Sequence, residues 1–356
     1  SLSECLNKLL SQFHHLFISK LMDSRIMINS SNLIHLPYTP DLTEGGIAYA
    51  LRTLPNSFER KGSKPYDRIR RVVSEAAVEL AFRRYLSQQE IPFEVISASP
   101  FTDPDKYNVS LGGHRCDIKS FLISHRDQIV QMRNDPSVIL NAPALVPSDH
   151  HSVDGYSDND LYLFAFLSGV IAASQNDLKK VIEMNKPHYL VHVMPDEWRK
   201  PLKWNPLGPL VLKSESDADM LVEVSGQDEA RGFSTRVVNL PAQKRVTLEN
   251  PFYSVAAVHI KNMPSARLGI LSSVIKEAHV ISPLEWGNIW VYGMDITLAG
   301  FISHGEFRQR AKFIAPNSRV FQYDHTKTKN LAVPISNLNP LQDLFKRVQE
   351  WKGART

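Results

Sequence analysis

The chain has 356 residues, of which 43% are hydrophobic, and its formal net charge is +4. This length is enough for about two domains with substantial cores. The mild positive charge permits nucleic-acid binding but does not require it. The two cysteines, Cys5 and Cys116, lie far apart in sequence and exclude a disulfide framework. We expect Cys116 to be a core residue.

Membrane and secretion signals are absent from the sequence pattern. The longest apolar run, residues 161–173, is too short for a typical membrane span and predicts a buried strand that leads into a helix. The first residues of the chain do not have the pattern of a secretory signal. We therefore expect a cytoplasmic, intracellular protein with no membrane partner.

Residues 1–60 form the first predicted unit, an N-terminal helical arm. An amphipathic helix is expected at its start, followed by irregular segments around Pro37, Pro40 and Pro55. Residues 43–54 predict a short helix after a glycine turn. Such an arm could contact a partner subunit or DNA, and nothing in its sequence decides between the two.

A long helix is predicted over residues 66–89, with a proline immediately before it. Apolar residues recur along this segment at helical spacing. Glu75 and Glu79 are four residues apart and therefore share a face of the helix. They either pair with Arg71 and Arg83 along the helix, or one of them reaches a site on a neighbouring sheet.

The segment that leads into this helix is basic. Residues 60–71 contain six cations that suit contacts with the phosphates of double-stranded DNA: Arg60, Lys61, Lys64, Arg68, Arg70 and Arg71. A solvated loop and helix start would have the same composition. A second basic stretch, residues 306–313, alternates with phenylalanines and is a weaker signal of the same kind.

A β-hairpin is predicted where two runs of strand type flank the glycine pair at 112–113. A Gly-Gly pair between such runs is typical of a two-residue turn. Counting outward from the turn gives the strand register. Val109 is expected opposite Cys116, and Asn108 is expected opposite Asp117.

The second strand of this hairpin carries an acidic-x-Lys triplet. Lys119 follows Asp117 by two residues, so the two side chains leave the same face of the sheet. Asn108 would join them, with the cross-strand Cβ atoms about 5 Å apart. Acidic-x-Lys occurs four times in the chain, but only this copy lies in an apolar strand after a tight turn. A charged pair is costly there unless it is paired or liganded, which favours a functional site.

Such a cluster has the composition of a metal-dependent site for phosphodiester hydrolysis. Acidic groups on adjacent strands can hold Mg²⁺ through oxygen ligands at about 2.0–2.1 Å. The cation lowers the pKa of a bound water and stabilises the charge that develops on the phosphate. A lysine beside the cation can orient the attacking water or offset that charge.

The helix with an inward glutamate, the strand-like residues 93–97, the hairpin and the Asp-x-Lys triplet together resemble the PD-(D/E)xK nuclease superfamily. The resemblance covers roughly residues 66–195. It implies a restriction-endonuclease-like α/β core, in which helices flank a mixed central sheet, and a Mg²⁺-dependent DNA endonuclease activity of the prokaryotic restriction type.

The same resemblance implies roles for individual residues. Asp117 matches the family's second acidic residue, a metal ligand, and Lys119 matches its catalytic lysine. Glu79 matches the helix glutamate better than Glu75 does, and would be a further ligand or base. The family's first acidic residue in the hairpin is also a metal ligand, and this sequence has Asn108 there.

Asn108 departs from the family pattern at a position that the chemistry depends on. Asp103 and Asp105 lie upstream, but Asp105 has the opposite strand parity and would be about 10 Å away. An asparagine carbonyl can ligate a metal without contributing charge. Losing one unit charge at about 4 Å weakens the attraction by up to about 4 kcal/mol at an effective dielectric near 20. We expect either a disabled nuclease or a natural relative that binds without cutting.

The remaining sequence predicts a second domain. Residues 61–195 would form the nuclease-like domain, and a boundary is expected in the Pro- and Trp-containing segment 195–209. Residues 196–356 carry many short strand patterns and a closing helix, which predict a β-rich domain, a sandwich or a barrel. By fold-level analogy alone, that domain could contribute to target recognition. His150 and His151 stand beside several aspartates, but adjacent histidines are poorly spaced for a metal site.

The sequence therefore predicts a Mg²⁺-dependent endonuclease that acts on double-stranded DNA as a homodimer and is impaired by Asn108. One alternative is a DNA-binding protein that has a nuclease-like fold and does not cleave. The other is a two-domain scaffold in which Asp117 and Lys119 form only a salt bridge.

Overall fold

The computed structural model of the protein describes residues 27–53, 65–95, 109–151, 157–172, 174–186, 188–249, 252–261, 266–289 and 292–353. The α-helices in these residues are α1 Pro40–Thr53, α2 Pro65–Gln88, α3 Arg126–Asn134, α4 Ser148–His151, α5 Gln175–Glu183, α6 Asp196–Arg199, α7 His304–Arg310 and α8 Leu341–Gly353. Short 3-10 helices cover Ser30–Asn32, Pro136–Asn141, Pro283–Glu285 and Ile335–Asn337. None of the helices in the described ranges has the length and apolar character needed to cross a membrane.

Strands and helices are mixed along the first half of the chain, and a run of successive strands without an α-helix follows Asp196–Arg199. The strands are β1 Ile34–Pro37, β2 Val109–Leu111, β3 His114–Ile123, β4 Pro143–Pro147, β5 Leu161–Val170, β6 Leu190–Val193, β7 Leu210–Ser214, β8 Met220–Gln227, β9 Phe233–Leu240, β10 Arg245–Leu248, β11 Ser254–Ile260, β12 Leu268–Ser272, β13 His279–Ile281, β14 Gly287–Asn288, β15 Tyr292–Ser303, β16 Lys312–Ile314 and β17 Asn330–Pro334.

A mixed five-stranded sheet forms the centre of the α/β part, in the order β1-β15-β5-β3-β2. The pair β3 and β5 is parallel, and the other neighbouring pairs are antiparallel. The chain between β3 and β5 makes the crossover that a parallel pair requires, and it contains α3, β4 and α4. The continuous apolar sequence of β5 suits its central place, because a strand covered on both faces has no polar side. The predicted mixed α/β class is confirmed at this level.

The predicted hairpin is confirmed with its register. Val109 pairs with Cys116 and Leu111 pairs with His114. Gly112 and Gly113 have φ values of +58° and +82°, in the left-handed region that such a tight turn requires. Cys116 is fully buried, as its alternation had indicated. The expected strand at 93–97 is present only as an isolated bridge between Glu94 and Ser110, and residues 96 and 97 lie outside the described residues.

Two hydrophobic cores cover the two faces of the central sheet. Alternate residues of β5 contribute to them, Leu163 and Leu167 to one and Phe164 and Phe166 to the other. Helices α2 and α8 pack on the first face. A three-stranded sheet in the order β16-β17-β4, with α3 and α7, packs on the second. Asp117 and Lys119 lie on this second face, since their strand neighbours there are Tyr162 and Phe164.

The β-rich part is a two-layer sandwich. A sheet in the order β10-β7-β12-β13 shares a core with a sheet in the order β14-β6-β11-β8-β9. Leu212 and Ile270 of the first sheet meet Val224 and Val258 of the second in that core. The predicted β-rich architecture is therefore present in these strands.

Helix α2 joins the two parts of the fold. Its first half packs through Ile69 and Val73 on α1 and on the sandwich residues Val191 and Ala257. Its second half packs through Phe82 in the core between α2 and the central sheet. One continuous helix therefore contacts both the sandwich and the sheet that carries Asp117 and Lys119.

The strand pairing departs from the predicted linear division at residues 60 and 195. Strands β1 and β15 pair with each other, and β15 also pairs with β5, so both join the central sheet. Strand β6, placed in the nuclease-like domain by sequence, belongs to the sandwich. Among the short strand patterns of residues 196–356, the strand-like sequence at 319–324 forms a turn closed by Val320 and Tyr323, and a strand prediction there is wrong. Pairing between distant segments decides these points, and local strand patterns do not encode it.

Candidate active site

Asp117 and Lys119 form an ion pair on β3, as their spacing on one strand face allows. The Lys119 Nζ atom lies 2.8 Å from Asp117 Oδ2, and only 15% and 8% of the two side-chain surfaces are exposed. A charged pair at this depth loses most of its hydration and requires close compensation. The pair is consequently more than the solvated surface contact that an isolated acidic-x-Lys triplet would make.

Aromatic and histidine side chains surround this pair on the side of β5. Lys119 Nζ lies 5.8 Å from the ring centroid of Tyr162, whose backbone pairs with Asp117. The Tyr162 ring is fully buried and stacks on His304 at 3.8 Å, while its hydroxyl lies 3.1 Å from His151 Nδ1. Tyr162 thus connects the lysine with two histidines of α4 and α7.

Those histidines are uncharged at neutral pH. Burial, together with the neighbouring His151, Lys119 and Arg308, lowers the pKa of His304 to about 3. Burial also lowers the pKa of His151, and Arg308 adds to that effect. Asp117 therefore has Lys119, and not a protonated histidine, as its close cation.

Glu75 is the helix glutamate whose charge acts on the ion pair. Burial raises the pKa of the Glu75 carboxylate, Arg71 and then Lys119 lower it, and Asp117 raises it. Half of the Glu75 side-chain surface remains exposed, so water limits the size of the rise. Glu79 forms an ion pair with Arg83. Burial raises the pKa of the Tyr49 phenol, and the charge of Glu79 adds to that rise. The assignment of Glu79 as the helix ligand stays a prediction.

Tyr323 borders the same face of β3. Its ring makes an edge contact with Phe121, two residues beyond Lys119, at a centroid distance of 6.4 Å. Burial raises the pKa of Tyr323 to about 12, the charge of Glu75 adds to the rise, and Arg71 opposes it. Helix α2 and the segment that carries Tyr323 therefore come together beside the face that holds Lys119.

The cations predicted to contact DNA do not share one environment. Arg60, Lys61 and Lys64 lie outside the described residues, as do Asn108 and the upstream Asp103 and Asp105. Arg70 is largely buried and donates from Nε and Nη2 to the Asn288 carbonyl, at 3.0 and 2.7 Å. Arg71 is 65% exposed and pairs with Glu75, and Arg68 is half-buried. Among the described members of this set, Arg71 is the exposed one whose charge acts on Glu75 and Tyr323 beside the ion pair.

Arg70 and Arg71 are expected to respond differently to substitution. Arg70→Met should lower the free energy of unfolding by about 1–3 kcal/mol, because it removes charged hydrogen bonds to a carbonyl that holds α2 on the sandwich. Arg71→Met should leave stability within about 0.5 kcal/mol, because that side chain is exposed. Urea unfolding of both variants measures the difference, and equal losses would contradict the assigned roles.

The candidate metal ligands at the site are carboxylate oxygens, the type that a hard cation prefers, but there are few of them. Asp117 and Glu75 supply carboxylate oxygens, which Mg²⁺ prefers, and Mg²⁺ often binds through one or two carboxylates with water and substrate phosphate as the other ligands. Within the described ranges, no group of three or more His, Cys, Asp or Glu side chains is arranged to hold a metal. A site here fits a cation that substrate helps to bind.

Sequence reasoning missed Tyr162, His304 and Tyr323 as neighbours of the ion pair. Tyr162 is part of an apolar run, and its parallel pairing with Asp117 depends on a crossover of nearly forty residues. Its place opposite Asp117 could have been found only by aligning the two strands. His304 and Tyr323 arrive from the C-terminal part of the chain, where no local signal points to the site.

No protein-family model and no curated protein sequence matches this chain.

Proposed function

We propose that the protein is a Mg²⁺-dependent endonuclease of restriction type that acts on double-stranded DNA and is impaired by Asn108. The observation that carries the proposal is the buried ion pair of Asp117 and Lys119 in the strand that follows a tight hairpin turn. Burial of a carboxylate and a lysine together in a central sheet is costly, so the pair is a better candidate for a functional role than for a contribution to stability alone.

The order of elements around the pair supports the same proposal. Helix α2 is followed by Glu94, which forms an isolated β-bridge with Ser110 of β2. The β2–β3 hairpin comes next. A crossover then leads to β5, which runs parallel to β3. A helix, a strand-like segment, a hairpin with an Asp-x-Lys triplet and flanking helices are the features of the PD-(D/E)xK resemblance. The sandwich, joined through α2, is the part proposed to help in target selection.

The residues divide the chemistry among them. Asp117, with a glutamate of α2, would hold Mg²⁺, which when bound lowers the pKa of a coordinated water and offsets phosphate charge. The Lys119 ammonium lies beside Asp117 Oδ2, and from there it can orient a water or stabilise negative charge on a phosphate. The face of the buried Tyr162 ring lies 5.8 Å from the Lys119 ammonium and attracts its positive charge there. Cutting both strands of a duplex favours two copies of the chain, and so a homodimer is part of this proposal.

The second candidate function is DNA binding without cleavage. Asn108 favours it, because a neutral side chain stands where the resemblance places a metal-binding carboxylate. Both functions require the same duplex to bind near Asp117 and Lys119. They differ only in whether the site holds a cation tightly enough for hydrolysis.

Binding of a labelled DNA duplex to the unaltered protein tests the proposal. We expect binding at low salt, measured by fluorescence anisotropy, with an affinity that falls steeply as salt rises, because phosphate contacts release counterions. Cleavage of the same duplex with Mg²⁺ should be very slow. Failure to bind duplex DNA at low salt would reject both functions and favour a scaffold in which Asp117 and Lys119 form only a salt bridge.

A further inference from the structure

The segment between β16 and β17, residues 315–329, carries Tyr323 to the border of the candidate site. Tyr323 contacts Phe121, which lies on the strand face of Lys119. The charges of Glu75 and Arg71 act on its phenol, so the segment also approaches α2. We call residues 315–329 the β16–β17 loop.

Hydrogen bonds hold the β16–β17 loop in one shape. The buried Thr326 donates from Oγ1 to the Ala315 carbonyl at 2.8 Å, and it accepts from the Ser318 amide at Oγ1 and from the Asn317 amide at its carbonyl, at 3.1 and 2.7 Å. The start of the loop, residues 315–318, is thus joined to its later part at Thr326. A loop fixed in this way presents its surface side chains without a large ordering cost on binding.

Contacts with neighbouring elements fix the loop on the fold. Gln128 of α3 donates from Nε2 to the Phe321 carbonyl at 2.7 Å. Gln322 of the loop donates to the Pro143 carbonyl at the start of β4. Both contacts involve the two residues that immediately precede Tyr323, so they fix the backbone that places its ring against Phe121.

The surface of the loop is cationic. Arg319, Lys327 and Lys329 are exposed, and none of the three forms an ion pair with a described residue. The carboxylate of Asp324 lies 3.4 Å from His125 Nε2. Three cations against one carboxylate, on a rigid loop beside a phosphodiester site, match the charge of a nucleic-acid backbone.

We propose that the β16–β17 loop binds the phosphate backbone of the DNA that reaches Asp117 and Lys119. This inference rests on the proposed function and names the surface through which the substrate is held. The loop complements Arg71 on α2, which borders the same site, whereas Arg70 is occupied by its contacts with the sandwich. Tyr323, whose ring contacts Phe121 on β3, connects the loop with the strand that carries Lys119.

The test compares the salt dependence of DNA binding in two variants with equal loss of charge. The loop variant is Arg319→Gln, Lys327→Gln and Lys329→Gln. The control variant is Lys179→Gln, Lys180→Gln and Lys186→Gln, which removes three exposed cations from α5 and the residues that follow it, outside the strands of the sandwich. We expect the slope of log affinity against log salt to fall by about one unit for each lost phosphate contact in the loop variant, and to keep most of its value in the control.

Three other outcomes would overturn the inference. If the unaltered protein binds DNA and the loop variant keeps its slope, the loop is not the binding surface, while the proposed function stands. If the loop and control variants lose the same slope, binding responds to total charge and not to this surface. If the unaltered protein binds no DNA, the proposed function fails and the inference fails with it. If the triple variant does not fold, the single variant Lys327→Gln is measured in its place. We expect it to lower the slope of log affinity against log salt by about one unit.

Discussion

Replacing Asn108 by aspartate is expected to produce Mg²⁺-dependent cleavage of duplex DNA. The observed register, with Val109 opposite Cys116, is the one from which the sequence predicts position 108 opposite Asp117. A second carboxylate there would add up to about 4 kcal/mol of attraction for the cation. That energy corresponds to roughly a thousandfold gain in metal affinity, at about 1.4 kcal/mol for each factor of ten.

Plasmid nicking over a range of Mg²⁺ concentrations measures this gain. Asn108→Gln is the matched control, because it keeps an amide and adds no charge, and it should stay as slow as the unaltered protein. Asn108→Asp combined with Lys119→Met should lose about 10²- to 10³-fold of the new rate, as expected when one group that stabilises a developing anion is removed. A folded Asn108→Asp protein that binds DNA and gains no cleavage would reject the active-site assignment.

Neutralising one partner of the Asp117–Lys119 pair is expected to destabilise the fold by about 3–5 kcal/mol, because the remaining charge stays buried without its partner. Lys119→Met should cost more than Asp117→Asn. It leaves the Asp117 carboxylate without its cation and exposed to the like charge of Glu75, whereas Asp117→Asn leaves Lys119 in the favourable field of Glu75. The double variant should cost less than the sum of the two single variants.

A double-mutant cycle in urea unfolding gives the coupling energy of the pair. The matched control is the ion pair between Arg308 and Asp158, whose side chains are 57% and 67% exposed. Its coupling should be at most about 1 kcal/mol, since exposed ion pairs contribute little. If the Asp117–Lys119 coupling is as small as that of the control, the pair does not have the buried character that the proposed function requires.

Local signals in the sequence predicted the elements that carry the ion pair. The glycine pair at 112–113 set the hairpin turn and with it the register of β2 and β3. Helical periodicity predicted α2 to within a residue of its observed bounds. Each of these features depends on residues close together in the chain, where spacing and turn chemistry determine the structure.

Long-range packing decided what the sequence did not predict. Strand β15 enters the central sheet beside β5 although more than a hundred residues separate the two strands. Arg70 and Tyr66 belong to a basic stretch with the composition of a solvent-exposed segment. Their side chains nevertheless donate hydrogen bonds to the backbone carbonyls of Asn288 and Glu285. Such partners depend on how distant elements dock, and neither the periodicity nor the charge of the run distinguishes them from surface residues.

The position of a bound divalent cation tests the central claim most directly. Crystals of the Asn108→Asp variant with a DNA duplex and Mn²⁺, which scatters anomalously, would locate the ion without relying on activity. We predict an anomalous peak about 2.0–2.3 Å from an Asp117 carboxylate oxygen, with a DNA phosphate as a further ligand and Lys119 Nζ beside it. DNA bound elsewhere on the molecule, or an ion bound away from Asp117, would contradict the assignment of this hairpin as a nuclease site.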